Sequence, residues 1–257
     1  KWIDDKNLAI YTTIRKDNLF YVALILVNID EEIKVIDQII LEKLPTQDST
    51  TSMLGGGIEI KDNKLYLAIG TSAVPNQYEI NKLAQNDNSI FGKILEIKIY
   101  KENNYYKFEK HRIIAKGSRN SQGLKFINSE LYEVEHGPQG GDEINIIDIN
   151  SKKMINLGWP LFSYGTPYRD MSAYSLNNPD EDINFTYEQD DKSFLKPYFY
   201  FTPSIAISSI EDCPFSNLKG SNTQYNNCLI LSSLIDQSLY IMKKGNAQSD
   251  ITSYEKV

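Results

Sequence analysis

The chain has 257 residues, a net charge of −7 and a pI near 5.0, the wrong sign for holding a phosphate backbone, so nucleic-acid binding is disfavoured. No run of 18 apolar residues occurs, so no helical membrane span is expected. No signal peptide is visible at Lys1, although a mature chain would already have lost one.

Seventeen tyrosines and ten phenylalanines, spread among short isoleucine-rich runs, fit pleated, half-buried strands better than helices. Residues 8–13 and 19–29 read as strands joined by the polar Arg15-Lys16-Asp17-Asn18, a hairpin by composition. The 19–29 run is too short to cross a bilayer and reads as a buried strand. Residues 32–41 supply a third strand. Residues 57–60 and 64–69 flank Asp62-Asn63-Lys64, a short polar turn between alternating runs. Residues 94–100 pair with 106–114 across 101–104, and 124–126 with 131–135 across Asn128-Ser129-Glu130. Residues 168–196, with Asn177-Asn178-Pro179-Asp180-Glu181-Asp182, read as a polar insertion whose acids are solvated. Strands resume at 198–201, 205–210 and 229–242. The whole, 1–257, reads as a single all-β domain.

Between Glu135 and Glu143 the chain reads Glu-His-Gly-Pro-Gln-Gly-Gly-Asp-Glu. Glycines let carbonyls point inward where a Cβ would forbid it, and Pro138 fixes φ and holds the preceding carbonyl in place. Calcium prefers such a mixture of carbonyl and carboxylate oxygens. The bland alternative is a wide surface turn with solvated acids. The chain holds two histidines, His111 and His136. His111, in an alternating polar stretch, reads as a solvated strand residue, and His136 is the better-placed of the two.

Around that loop stand further landmarks: Leu54-Gly55-Gly56-Gly57, residues 65–70, Phe91-Gly92-Lys93, Arg119-Asn120-Ser121-Gln122-Gly123, Gly158-Trp159-Pro160 and Pro203-Ser204-Ile205-Ala206. As an ordered set they resemble the glucose/sorbosone dehydrogenase family. The resemblance implies a six-bladed β-propeller of the soluble quinoprotein glucose dehydrogenase type, incomplete or shortened at this length and part of a longer chain. Blades of roughly 40 to 50 residues give five or six lean ones here. It further implies pyrroloquinoline quinone (PQQ) held through calcium, and an aldose sugar or other polyol oxidised by hydride transfer to the quinone.

Carried over by position, the carbonyls of Gly137 and Pro138 hold the cofactor's calcium. Arg119, Asn120, Gln122, His136 and Ser204 contact the cofactor, and Asp142 orients the base. Glu143 and the Leu157 carbonyl hold a second, structural calcium. The family's base, a histidine, falls on Met53, which cannot accept a proton, so His136 and Asp142 are the remaining catalytic candidates. Gly57, Thr71 and Ile235 stand where the family has an arginine, an acid and a lysine. These departures keep an alternative in view: a non-catalytic propeller that binds a carbohydrate or a protein partner. Cys213 and Cys228 either close a loop as a disulfide, adding about 3 kcal/mol, or remain two thiols; zinc lacks CxxC spacing or nearby histidines. The exposed loop and the family's export favour the disulfide and a periplasmic or secreted protein.

Overall fold

The computed structural model describes residues 1–45, 54–71, 80–138, 140–165, 193–213, 227–245 and 251–257. Met53, Gln139 and most of the 168–196 segment lie outside the described residues. Four sheets are described. The first is β1 (Asn7–Lys16), β2 (Leu19–Ile29) and β3 (Ile33–Lys43). The second runs β12-β8-β6-β5-β4, from β4 (Gly55–Lys61), β5 (Lys64–Ile69), β6 (Lys93–Glu102), β8 (Arg112–Lys116) and β12 (Ile155–Asn156), with β7 (Tyr105–Phe108) paired to β6. The third runs β13-β11-β10-β9, from β9 (Ser121–Ile127), β10 (Glu130–Glu135), β11 (Asp142–Ile147) and β13 (Phe199–Phe201). The fourth is β14 (Ile207–Asp212), β15 (Cys228–Ser233), β16 (Ser238–Lys244) and β17 (Ile251–Lys256). One 3-10 helix, Lys82–Gln85, leads towards β6.

Each sheet packs face to face on the next, and period-two alternation supplies both faces. On β5, Leu65, Leu67 and Ile69 enter a core shared with Val22, Leu24 and Leu26 of the first sheet. Its alternate residues Tyr66 and Ala68 enter a second core with Leu124, Leu131 and Ile147 of the third. On β10, Tyr132 and Val134 enter a third core with Ile207, Leu229 and Leu231 of the fourth. Strands β4, β9 and β14 pack side by side as the inner edge. A Cβ on Gly57 would lie 2.9 Å from the carbonyl carbon of Gly123, so two backbones meet there and only glycine fits. Tyr11 brings β1 to the same edge, its hydroxyl donating to the Leu54 carbonyl at 3.2 Å. Sheets stacked radially about their innermost strands make a β-propeller. Among the described residues there are four such sheets, where chain length suggested five or six blades, and no hydrophobic cluster joins the first sheet to the fourth.

Three expected strands are corrected by the ladders. The 106–114 run is two strands, β7 and β8, which pair with opposite ends of β6 (Ile99↔Phe108, Glu96↔Arg112). His111 sits in the break between them, not on a strand. The 229–242 run folds at residues 234–237 into β15 and β16. The strand expected from 205 starts at Ile207, because Ala206 takes a left-handed φ of 51°.

Candidate functional site at the head of the inner strands

Four segments meet at the entry end of the inner strands: the loop from Gly117 to Asn120, the Gly-rich loop after β10, the Gly158-Trp159 turn and residues 204–206. The Gly-rich loop is packed backbone to backbone. A Cβ on Gly137 would collide with the Gly140 carbonyl oxygen, and one on Gly141, at φ 70°, with the backbone of Tyr164 and Gly165. Asp142 fixes this loop. Its Oδ1 accepts from the Gly137 N–H at 3.0 Å and the Ser204 hydroxyl at 2.7 Å, and its Oδ2 from the N–H groups of Ile205 at 2.9 Å and Ala206 at 2.6 Å.

Arg119 is buried, and its Nη1 donates to the carbonyls of His136 at 2.9 Å and Gly137 at 2.8 Å. Its guanidinium lies 5.3 Å from the Trp159 ring centroid, within cation–π range. The Arg119 carbonyl accepts from the Thr71 N–H at 2.8 Å and the Thr71 hydroxyl at 3.2 Å. Buried Thr71, where an acid was expected by resemblance, therefore anchors the arginine's backbone. A relay of side chains continues from there. Gln122 Nε2 donates to Asn120 Oδ1 at 2.8 Å, Asn120 Nδ2 lies 3.2 Å from His136 Nδ1, and His136 Nε2 lies 2.8 Å from the Ile207 carbonyl. A carbonyl only accepts, so Nε2 carries the proton and Nδ1 accepts from Asn120. Burial lowers the His136 pKa further, and the ring is neutral with both nitrogens engaged.

Behind the loop, Glu133, Glu135, Glu143 and Asn145 share one face of β10 and β11 and are all buried. Glu135 Oε2 accepts from the Ser118 hydroxyl at 2.7 Å and the Arg119 N–H at 2.8 Å. Burial, opposed by those two bonds, raises its pKa to about 7. Asn145 Nδ2 donates to Glu133 Oε2 at 3.0 Å and Glu143 Oε2 at 3.2 Å. Burial, and then the neighbouring Glu135, raise both of those carboxyls well above the usual range. Among the described residues no three His, Cys, Asp or Glu side chains converge as a metal-binding group. Any cation here would need carbonyl, amide or hydroxyl oxygens beside a carboxylate.

The structure thus gathers Arg119, Asn120, Gln122, His136, Gly137, Asp142 and Ser204 into one bonded cluster. Glu143 lies on its buried flank. Leu157 is buried in the core between the second and third sheets, its N–H donating to the Lys116 carbonyl at 2.7 Å. Ile235, exposed, has its N–H 3.4 Å from the Ile205 carbonyl. Thr71, Asn81, Trp159 and Asn145 had no assigned role in the sequence reading. The Gly-Trp-Pro landmark hinted at Trp159 and the resemblance marked the position of Thr71, whereas Asn81 becomes visible only through its bonds to Thr71 and the Trp159 indole N–H.

A propeller whose inner strands open onto a buried cluster of arginine, amides, histidine and inward-facing carbonyls defines a class of axial-site β-propellers. Within that class the glucose/sorbosone dehydrogenase family model matches residues 5–257, and the chain belongs to that family. Aldose sugar dehydrogenase YliI of Escherichia coli is 30% identical over 204 residues, covering 76% of this chain and 48% of the relative. Quinoprotein glucose dehydrogenase B of Acinetobacter calcoaceticus is 34% identical over 119 residues, covering 44% and 23%. The chain therefore spans about half or less of the curated relatives it matches. The soluble aldose sugar dehydrogenase of E. coli in its apo-form superposes at a TM-score of 0.68, with 22% identity, covering 97% of this chain and 68% of that one. The PQQ-bound form of the aldose sugar dehydrogenase from Streptomyces coelicolor does so at 0.59, with 17% identity, covering 97% and 62%. Cys213 and Cys228 form a disulfide, and no helix among the described residues is long and apolar enough to cross a membrane.

Proposed function

We propose that this chain carries the PQQ and calcium site of a sugar dehydrogenase-like oxidoreductase whose substrate is an aldose or other polyol hydroxyl. One observation carries the reading: the Gly137 carbonyl is turned inward onto the positive charge of Arg119, 2.8 Å away, beside Asn120 and His136. A carbonyl that faces a cationic group in a buried loop fits a hard cation, and Pro138 beside it is buried too. When bound, the quinone supplies the hydride acceptor that no side chain can be.

The residues then divide the work. Arg119 offers permanent charge and a rigid donor fork to anionic oxygens. Asn120, held by Gln122, and His136, held by Ile207, present fixed polar edges beside it. Asp142 and Ser204 hold the loop in shape and act as positioning residues. Glu143 and the Leu157 carbonyl are the pair for a structural calcium. Relatives named for aldose sugars and glucose support a sugar substrate, and the disulfide supports an exported, periplasmic or secreted protein.

A second reading is favoured by His136 itself. With Nδ1 accepting from Asn120, its proton-accepting lone pair is already occupied, which suits a propeller that binds a carbohydrate or protein partner without turnover. The test is to titrate PQQ into the calcium-loaded protein, following cofactor absorbance, and then to follow dye reduction with an aldose panel. Binding that is lost in Arg119→Ala, with dye reduction, upholds the oxidoreductase. Binding without reduction selects the second reading, and no PQQ binding overturns the cofactor site.

A further inference from the structure

Arg119 is held at its fork, at its backbone and over one face of its guanidinium, and a single side chain from the second sheet's loop ties the last two together. The fork is pinned at Nη1 by the carbonyls of His136 and Gly137. The backbone carbonyl accepts from Thr71, and the guanidinium lies over the Trp159 ring. Asn81 Oδ1 accepts from the Thr71 hydroxyl at 3.1 Å and from the Trp159 indole N–H at 3.3 Å. An indole N–H only donates, so the atom facing it is the amide oxygen, and this fixes which way the Asn81 amide points. Thr71, Asn81, Arg119 and Trp159 are all buried.

Asn81 itself stands on a braced segment. It precedes the 3-10 turn Lys82–Gln85, whose Leu83 and Ala84 carbonyls accept from the Lys93 ammonium. From the end of that turn Gln85 Nε2 donates to the Trp159 carbonyl at 2.7 Å, while the Trp159 N–H donates to the Gly117 carbonyl at 2.9 Å. Those two bonds fix the tryptophan's backbone only. An indole tied through its backbone still chooses among rotamers, and the bond to Asn81 selects one of them. The ring's orientation in turn sets the plane of the guanidinium above it. Arginine sits on a long flexible stem, and its rigid fork meets a planar anion well only when that plane is set beforehand.

We propose that Asn81 is a positioning residue for the Arg119 fork, acting through the Trp159 ring and Thr71, an inference that rests on the reading of Arg119 as the group that meets the anionic oxygens of PQQ. It acts at one remove, giving the guanidinium a single orientation before the cofactor arrives.

The experiment first reads the ring and then the cofactor. The chain has two tryptophans, Trp2 exposed and Trp159 buried, so Trp2→Phe leaves Trp159 as the sole indole emitter. In that background and without cofactor, Asn81→Leu is expected to shift the Trp159 emission and to raise its quenching by acrylamide while the protein stays folded. Identical emission and quenching overturn the proposal. PQQ affinity is then measured by cofactor absorbance in the calcium-loaded protein. Asn81→Leu is expected to weaken it about tenfold, and so is Trp159→Phe, which keeps a ring beside Arg119 but removes the indole N–H. The double variant is expected to lose about tenfold in all, because both changes break one bond, whereas independent effects would multiply to about a hundredfold. Effects that multiply, or an unchanged affinity in Asn81→Leu, overturn the proposal. Asn81→Ala, read in the same two ways, takes its place if Asn81→Leu fails to fold. A wild type that binds no PQQ overturns the cofactor reading instead, and the fluorescence comparison then decides the role of Asn81 by itself.

Discussion

The two ends of the inner strands solve the same problem, turning the chain, by opposite means. At the far end, Asp17-Asn18, Asp62-Asn63, Asn103-Asn104 and Asn128-Ser129 turn in two residues, all at positive φ and all exposed. Those are the left-handed turns that match strand twist, and Asn and Asp tolerate them. At the near end the described connections are polar and largely buried, and Thr71, Lys93, Arg119, His136 and Asp142 each bond to a neighbouring segment's backbone. Solvent satisfies the polar groups of the first kind of turn. The second kind must satisfy its own, and so becomes a preformed site. Substitutions at the near end should therefore cost far more than at the far end.

Gly141→Val is the severest break. At φ 70° any side chain is strained, and here the Cβ would strike the Tyr164 and Gly165 backbone. Together these cost roughly 4 kcal/mol or more, read as a large fall in the denaturant midpoint together with loss of PQQ binding. Asp142→Asn keeps the volume but turns one acceptor oxygen into a donor facing the N–H groups of Gly137 or of Ile205 and Ala206. A loss of about 3 kcal/mol follows. PQQ affinity should fall as well, because the carbonyls of the 136–138 loop would no longer be held; unchanged affinity would show that the loop is positioned by something else.

Lys93 sharpens the comparison, since it is a near-end residue outside the cluster. Fully buried, its ammonium donates to the carbonyls of Leu83, Ala84 and Phe91 at 2.7 to 2.9 Å, knitting the 3-10 helix to the start of β6. Lys93→Met leaves those acceptors without this donor and should lower stability by about 2 kcal/mol near pH 7. Burial pulls the lysine's pKa from 10.5 down to about 8. Between those values the unfolded chain holds a proton that the folded chain has released, so folding stability rises with pH across that window. Denaturation of wild type and Lys93→Met from pH 7 to 10.5 should show a larger rise in the wild type than in the variant between pH 8 and 10.5.

The far-end hairpins were legible in the sequence because a two-residue Asx turn is a local matter: the residues that take positive φ advertise it. The Gly-rich loop was legible for the same reason. The row on β10 and β11 was not. In Leu131-Tyr132-Glu133-Val134-Glu135 a period of two reads as one apolar and one solvated face. The structure covers both faces, since an interior blade is sandwiched between neighbours. Glu133 and Glu135 are therefore buried where alternation alone would leave them wet. The relay from Gln122 to Ile207 was equally hidden, because its members lie up to 85 positions apart and meet only when the third and fourth sheets pack.

Asn63→Gly tests the far end, where the smallest effect is expected. Asn63 sits at φ 59°, exposed, with its carbonyl accepting from the Ile99 N–H at 2.8 Å. Glycine reaches that φ without strain and keeps the carbonyl, but it widens the unfolded ensemble. The two nearly offset, so the change in unfolding free energy should fall within about 0.5 kcal/mol, with PQQ titration unchanged. A loss above about 1 kcal/mol at this turn would mean that its geometry, and not only that of the buried loops, is held by contacts from beyond the hairpin, and the contrast between the two ends would narrow accordingly.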